Sequence, residues 1–179
     1  GLTAPPGGTM GQAVTPAAGG LVDIIFWGQP SSGASDKILE LSPVSAAFAP
    51  DCSPILSRNL GVHGHDYTLD YDDVNEACVT WERVLPAGIT IGAATAYVAS
   101  RMQFACSGTV GWMIRTRALA DGGTWDAAYT NCDAIATATV KATVGLLLLQ
   151  CVTLTTTGWA ADSRLRVKLI RDVAADNAS

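Results

Sequence analysis

A chain of 179 residues, 49% hydrophobic and 15% charged, is long enough to bury a substantial core and is not a disordered protein. Its net charge of −5 argues against a binder of nucleic-acid phosphates, and no apolar run approaches the roughly 18 residues needed to span a bilayer. The length suits one domain, or one domain with an extended arm.

Residues 1–20 are rich in Gly, Pro, Ala and Thr without usable periodicity, which reads as an extended arm. The arm is too apolar for a typical solvated linker and is expected to lie on another surface. It lacks a basic segment followed by an apolar stretch, so no signal peptide is expected. Leu21 to Trp27 is a compact β-prone run, ended by the turn-rich "GQPSSGASD". Lys37 to Ser42 can form a short strand. Residues 43–66 carry Pro43, Pro50 and Pro54 and read as an irregular connection.

From Tyr67 onward the strand signals become regular. "YTLDY" precedes Glu76 to Leu85, stopped by Pro86, and then Thr90 to Ala105, followed by a Ser-Gly turn read as a hairpin. Thr109 to Leu119 is the cleanest strand: Val110, Trp112, Ile114 and Thr116 share one face, with Met113, Arg115 and Arg117 on the other. "ADGG" closes it as a turn. "AIATATV", Leu146 to Thr155 and "RLRVKLIRD" follow. Caps and helical periodicity are missing, and short strands spaced by turns indicate a sandwich or barrel. Cys52, Cys78, Cys106, Cys132 and Cys151 are odd in number and lack CxxC spacing. Three of them, Cys78, Cys106 and Cys151, sit in strand-like runs and are read as reduced core thiols of a protein made in a cytoplasm.

The last strand raises a question of pairing. Leu165, Val167 and Leu169 alternate with Arg164, Arg166 and Lys168, the mark of a half-buried strand whose basic residues form an ordinary solvated face. The small polar tail after it cannot supply a further strand.

Candidate chemistry is sparse. "HGHD" places His63, His65 and Asp66 together, and two imidazoles with a carboxylate could begin a metal site. His-x-His in a Gly-rich loop also recurs by chance, and the preferred reading is a loop without metal. "LDYDD" clusters Asp70, Asp72 and Asp73 but lacks the turned loop of a calcium site, and reads as a strand entering an acidic turn. No Gly-x-Ser-x-Gly elbow is present, and the glycine-containing turns precede no helix that could bind phosphate. Among the tryptophans, Trp81 and Trp112 are expected in the core. Trp125 and Trp159 lie beside turns; burial or subunit contact is the preferred reading, and exposure, where a ring can stack on a sugar, is the alternative. No catalytic, cofactor-binding or metal-binding residue is assigned.

The stretch from Leu69 to Asp172 resembles a family of small jelly-roll proteins of tailed-bacteriophage virions, the capsid cement or decoration proteins and related modules. The likeness lies in "LDYDDVNEACVTWERVLP", in "SGTVGWMIRTRALADGGTWDAA", in "LLLLQCVTLTTTGWAAD" and in the closing "RLRVKLIRD". It implies an all-β, jelly-roll-like antiparallel β-sandwich at 67–179, after an irregular segment at 21–66 with one or two short strands and an N-terminal arm at 1–20. It also implies a non-enzymatic structural protein on the capsid exterior. Its partners would be the major capsid protein and itself, as a symmetric homo-oligomer such as a trimer, with no nucleic acid, membrane or cofactor. The alternative is a tail-associated or receptor-binding jelly roll that recognises a host surface glycan. Members of the family usually continue past the Arg-Asp into one more hydrophobic strand. Leu21 to Trp27 is therefore expected to pair with the C-terminal strand or complete the equivalent edge, within one subunit or by exchange between neighbours.

Overall fold

The computed structural model of the chain describes residues 23–28, 38–50, 52–61, 64–71, 76–102 and 107–175. The described chain is all-β, and its strands pair antiparallel. In chain order they are β1 (Asp23–Gly28), β2 (Ile38–Leu41), β3 (Ala47–Phe48), β4 (Ile55–Gly61), β5 (Gly64–Asp70) and β6 (Cys78–Val84). There follow β7 (Ala94–Ser100), β8 (Thr109–Leu119), β9 (Asn131–Thr139), β10 (Leu148–Leu154) and β11 (Arg164–Arg171). One sheet runs β10-β7-β1-β2, a second runs β3-β6-β11-β8-β9, and β4 and β5 form a separate hairpin.

From β6 onward the chain alternates between the two large sheets, except at the β8–β9 hairpin. That wrapping is the jelly-roll-like sandwich expected from the sequence. The alternation of apolar residues explains why the sheets stack. Val110, Trp112, Ile114 and Thr116 of β8 point inward, as do Leu165, Val167 and Leu169 of β11 and Val79 and Trp81 of β6. Leu41, Ala96, Val98, Leu148 and Leu154 meet them from the four-stranded sheet. Each fully buried Leu or Val contributes roughly 1.5–3 kcal/mol relative to exposure. The Trp81 indole also donates to the Ser42 carbonyl at 2.8 Å, which anchors the crossing from β2 to the five-stranded sheet.

A polar residue pins the two sheets together. The register of β8 on β9 shifts between Val110 and Trp112, so Ala136 has no place in the regular ladder. Gln150 of β10 is buried and projects across the sandwich at this point. Its amide donates to the Ala136 carbonyl at 2.9 Å and to the Val110 carbonyl at 3.3 Å. The residue that interrupts the leucine run therefore supplies donors where the ladder is irregular.

The C-terminal strand is not an edge. β11 lies between β6 and β8, with Val167 opposite both Trp81 and Thr116. This overturns the expectation that Leu21–Trp27 pairs with that strand or completes its edge, since β6 and β8 already hold both of its sides. The described part of the upstream run, from Asp23 on, does form a strand, but in the facing sheet: β1 pairs with β7 on one side and β2 on the other. β1 thus takes an interior place in the four-stranded sheet.

Three further expectations are corrected. Residues 43–66 are not simply irregular, since they hold a 3-10 turn at Pro43–Ser45, β3 and β4. The prolines lie outside the strands, which leaves the ladder donors intact. The Ser107–Gly108 turn is not a hairpin, because β7 and β8 belong to different sheets. The cysteines are not uniformly reduced core thiols: Cys52 and Cys78 form a disulfide, with Cα atoms 5.2 Å apart, and Cys132 and Cys151 are exposed free thiols. Cys151 alternates with the inward Gln150, so its strand position puts it on the outer face. Cys106 lies outside the described residues.

Candidate functional site

The outer face of the five-stranded sheet gathers charged side chains from three adjacent strands. Strand parity puts Arg115 and Arg117 of β8 opposite the Val110–Thr116 core face, and Arg164, Arg166 and Lys168 of β11 opposite Leu165, Val167 and Leu169. The β8–β11 register then sets Arg117 beside Arg166 and Arg115 beside Lys168. Five of the eleven basic residues of an acidic chain thus share one face.

One carboxylate meets them from β6. Glu82 accepts from Arg166 Nε at 2.7 Å, lies 2.5 Å from Arg166 Nη2, and takes Arg164 Nη1 at 3.2 Å. Among the described residues no ion pair joins Arg115, Arg117 or Lys168 to a carboxylate.

The segment after β8 folds back over this face. Ala120–Gly123 closes a turn, with the Gly123 amide donating to the Ala120 carbonyl at 3.0 Å and Gly122 at φ 75°, a left-handed conformation that suits glycine. Trp125 then lies over the guanidinium groups of Arg164 and Arg166, 5.2 and 4.7 Å from its ring centroid. Its carbonyl accepts from Arg117 Nη2 and, at 3.4 Å, from Arg166 Nη1. Farther along, the Tyr129 hydroxyl lies 3.5 Å from the Thr80 hydroxyl on β6. Arg117 is only 3% exposed, whereas Trp125 remains 57% exposed.

The basic residues of the last strand are thus not an ordinary solvated face, because a tryptophan loop covers part of it. Sequence parity alone marks Arg115 and Arg117 as co-facial, and likewise Arg164, Arg166 and Lys168. Nothing in the sequence tells that the two sets lie on neighbouring strands.

Of the residues singled out from sequence, several lie outside those described. His63, Asp72 and Asp73 lie outside the described residues, as do the side chains of His65 and Asp66. Among the described residues no three His, Cys, Asp or Glu side chains gather to hold a metal. Asp70 is engaged locally, accepting from Ser57 and, at 3.1 Å, from Thr68. Its neighbour Tyr71 packs edge-on against Trp112, with centroids 5.0 Å apart and planes at 86°. Burial pushes the Tyr71 phenol well above its ordinary range. Trp81 and Trp112 are core residues, as expected. Trp125 is exposed, while Trp159 packs partly buried against the core.

Two apolar groups also reach the surface. Val144, Leu146, Leu147 and Leu149 are between 42% and 57% exposed along the approach to the edge strand β10. Ile55, Leu56 and Tyr67 are exposed on the β4–β5 hairpin.

The fold and surfaces define an all-β, jelly-roll-like sandwich with one basic face and two apolar surface groups. No family model, curated protein or solved structure matches the chain. Among the described residues no helix is long and apolar enough to cross a membrane.

Proposed function

We propose that the protein is a non-enzymatic structural component of a phage virion: a capsid cement or decoration protein, made in the host cytoplasm, that sits on the capsid exterior and bridges neighbouring major capsid subunits. The observation that carries this reading is the exposed run of Val144, Leu146, Leu147 and Leu149 beside an edge strand. Large apolar side chains left exposed close together in the chain favour a contact surface. A bridging protein needs more than one such surface, and one face of the β4–β5 hairpin offers a second in Leu56 and Tyr67. Self-association as a homo-oligomer such as a trimer would multiply these contacts, and stabilisation would come from multivalency and mass action instead of chemistry.

The test is co-sedimentation with emptied capsids of the encoding phage, followed by the temperature at which those capsids rupture. The protein should bind and raise that temperature, and Leu147→Asp with Leu149→Asp should abolish both effects while leaving its own unfolding temperature unchanged. Failure of the folded, unaltered protein to bind capsids would refute the reading.

The exposed Trp125 ring favours one second reading, a tail-associated module that recognises a host surface glycan. Binding to host envelopes but not to capsids, lost on Trp125→Ala, would decide for it.

A further inference from the structure

Arg117 is the group whose needs the outer face leaves unmet. Its guanidinium is buried, yet Nε and Nη1 have no hydrogen-bond partner, and its remaining contact is a single neutral carbonyl shared with Arg166. Arg115 Nε is buried without a partner as well. Burying a cation without an anion is costly, and like charges directly opposite on adjacent strands repel. Here two such pairs stand side by side, Arg117 with Arg166 and Arg115 with Lys168. Cross-strand neighbours lie about 5 Å apart and alternate residues along a strand about 7 Å apart. The four basic side chains therefore occupy neighbouring positions of one face, where Glu82 neutralises Arg166 but no carboxylate among the described residues pairs with Arg117.

We propose that this face is an oxyanion site. A carboxylate, sulfate or phosphate group takes the place of the Trp125 carbonyl between Arg117 and Arg166, with Arg115 and Lys168 completing its cationic surround. Arginine suits the task because its planar fork donates two parallel hydrogen bonds to such a group. The Trp125 carbonyl already occupies the acceptor position, as an uncharged stand-in. The segment that carries it can yield: residues 120–128 are exposed throughout, on the solvent side of a glycine turn. Displacement of the carbonyl would move the Trp125 ring off Arg164 and Arg166. The site does not depend on the capsid reading.

The probes are sodium sulfate and a hexaglutamate peptide, titrated into the full chain at ionic strength held constant with sodium chloride while tryptophan fluorescence is followed. A saturable change that disappears in Trp125→Phe is expected. Arg117→Met should weaken it at least tenfold without lowering the unfolding temperature of the free protein, because methionine removes a buried charge that has no counter-ion. Tighter binding of the peptide would identify an acidic polypeptide segment as the natural source, and tighter binding of sulfate a tetrahedral ion. The absence of saturation with both probes, or an unchanged midpoint in Arg117→Met, would overturn the proposal. Should Arg117→Met fail to fold, the partly exposed Arg115→Gln decides by the same tenfold criterion.

Discussion

Gln150→Leu keeps the side chain's size and removes its polar atoms, and is expected to destabilise the protein by about 2 kcal/mol. The Gln150 amide donates to Ala136 and Val110 across the sandwich. Each hydrogen bond has a net worth of roughly 0.5–1.5 kcal/mol, and each buried carbonyl left short of a donor costs roughly 1–3 kcal/mol. Two effects work the other way. The Gln150 Oε1 is itself buried without a partner, so its removal recovers about 1 kcal/mol, and leucine adds apolar burial. The remainder, about 2 kcal/mol, corresponds to a fall of about 4–8 °C in Tm for a chain of this size. Thermal unfolding followed by near-UV circular dichroism reads it directly. Cys151→Ser, one residue along on the outer face, is the control and should change stability by less than about 0.5 kcal/mol. Gln150→Glu tests the direction of the bonds: an ionised carboxylate facing two carbonyls should be worse than leucine and should partly recover on acidification. A Gln150→Leu protein as stable as the parent would refute the claim that this amide pins the sheets at the β8–β9 irregularity.

Deleting residues 1–28 uncovers the edge of β7 that β1 occupies and leaves β2 without its neighbour, so size-exclusion chromatography with light scattering should show aggregation or loss of a discrete species; a monodisperse product with an unchanged Tm would contradict the role given to β1. Tyr71 should make stability fall at alkaline pH. Its phenol is raised in the folded state, so below the ordinary value of about 10 both states are protonated and stability is intact. Above that value the unfolded chain ionises first, and stability should drop by about 1.4 kcal/mol per pH unit. Tyr71→Phe should remove that part of the slope in urea titrations run from pH 8 to 11, and an identical slope in both proteins would exclude Tyr71 as its source. Finally, the Cys52–Cys78 bond hides two thiols that should become titratable only when the denatured protein is reduced. Reduction should lower stability by about 3.5 kcal/mol, the chain-entropy value for a separation of 26 residues. Five titratable thiols before reduction would exclude the disulfide.

What the sequence determined by itself is local. Alternation in Thr109–Leu119 and in Leu165–Leu169 specifies strand and inward face together, because successive side chains of a strand point to opposite sides. The same reasoning marked Trp81 and Trp112 as core, and Leu21–Trp27 as a strand needing a sheet. Which strands become neighbours was decided only by the tertiary structure. A row of arginines on one face of β11 reads like a solvated edge, yet the strand lies in the middle of its sheet, with its outer face partly covered by the Trp125 loop. The pairing of Cys52 with Cys78, the bridge from Gln150 to the β8–β9 irregularity, and the meeting of Arg115 and Arg117 with Arg166 and Lys168 all join residues far apart in the chain. Periodicity records the direction in which a side chain points. It holds no information on which distant strand arrives beside it, and the meeting of the two co-facial sets of basic residues depends on that second kind of information.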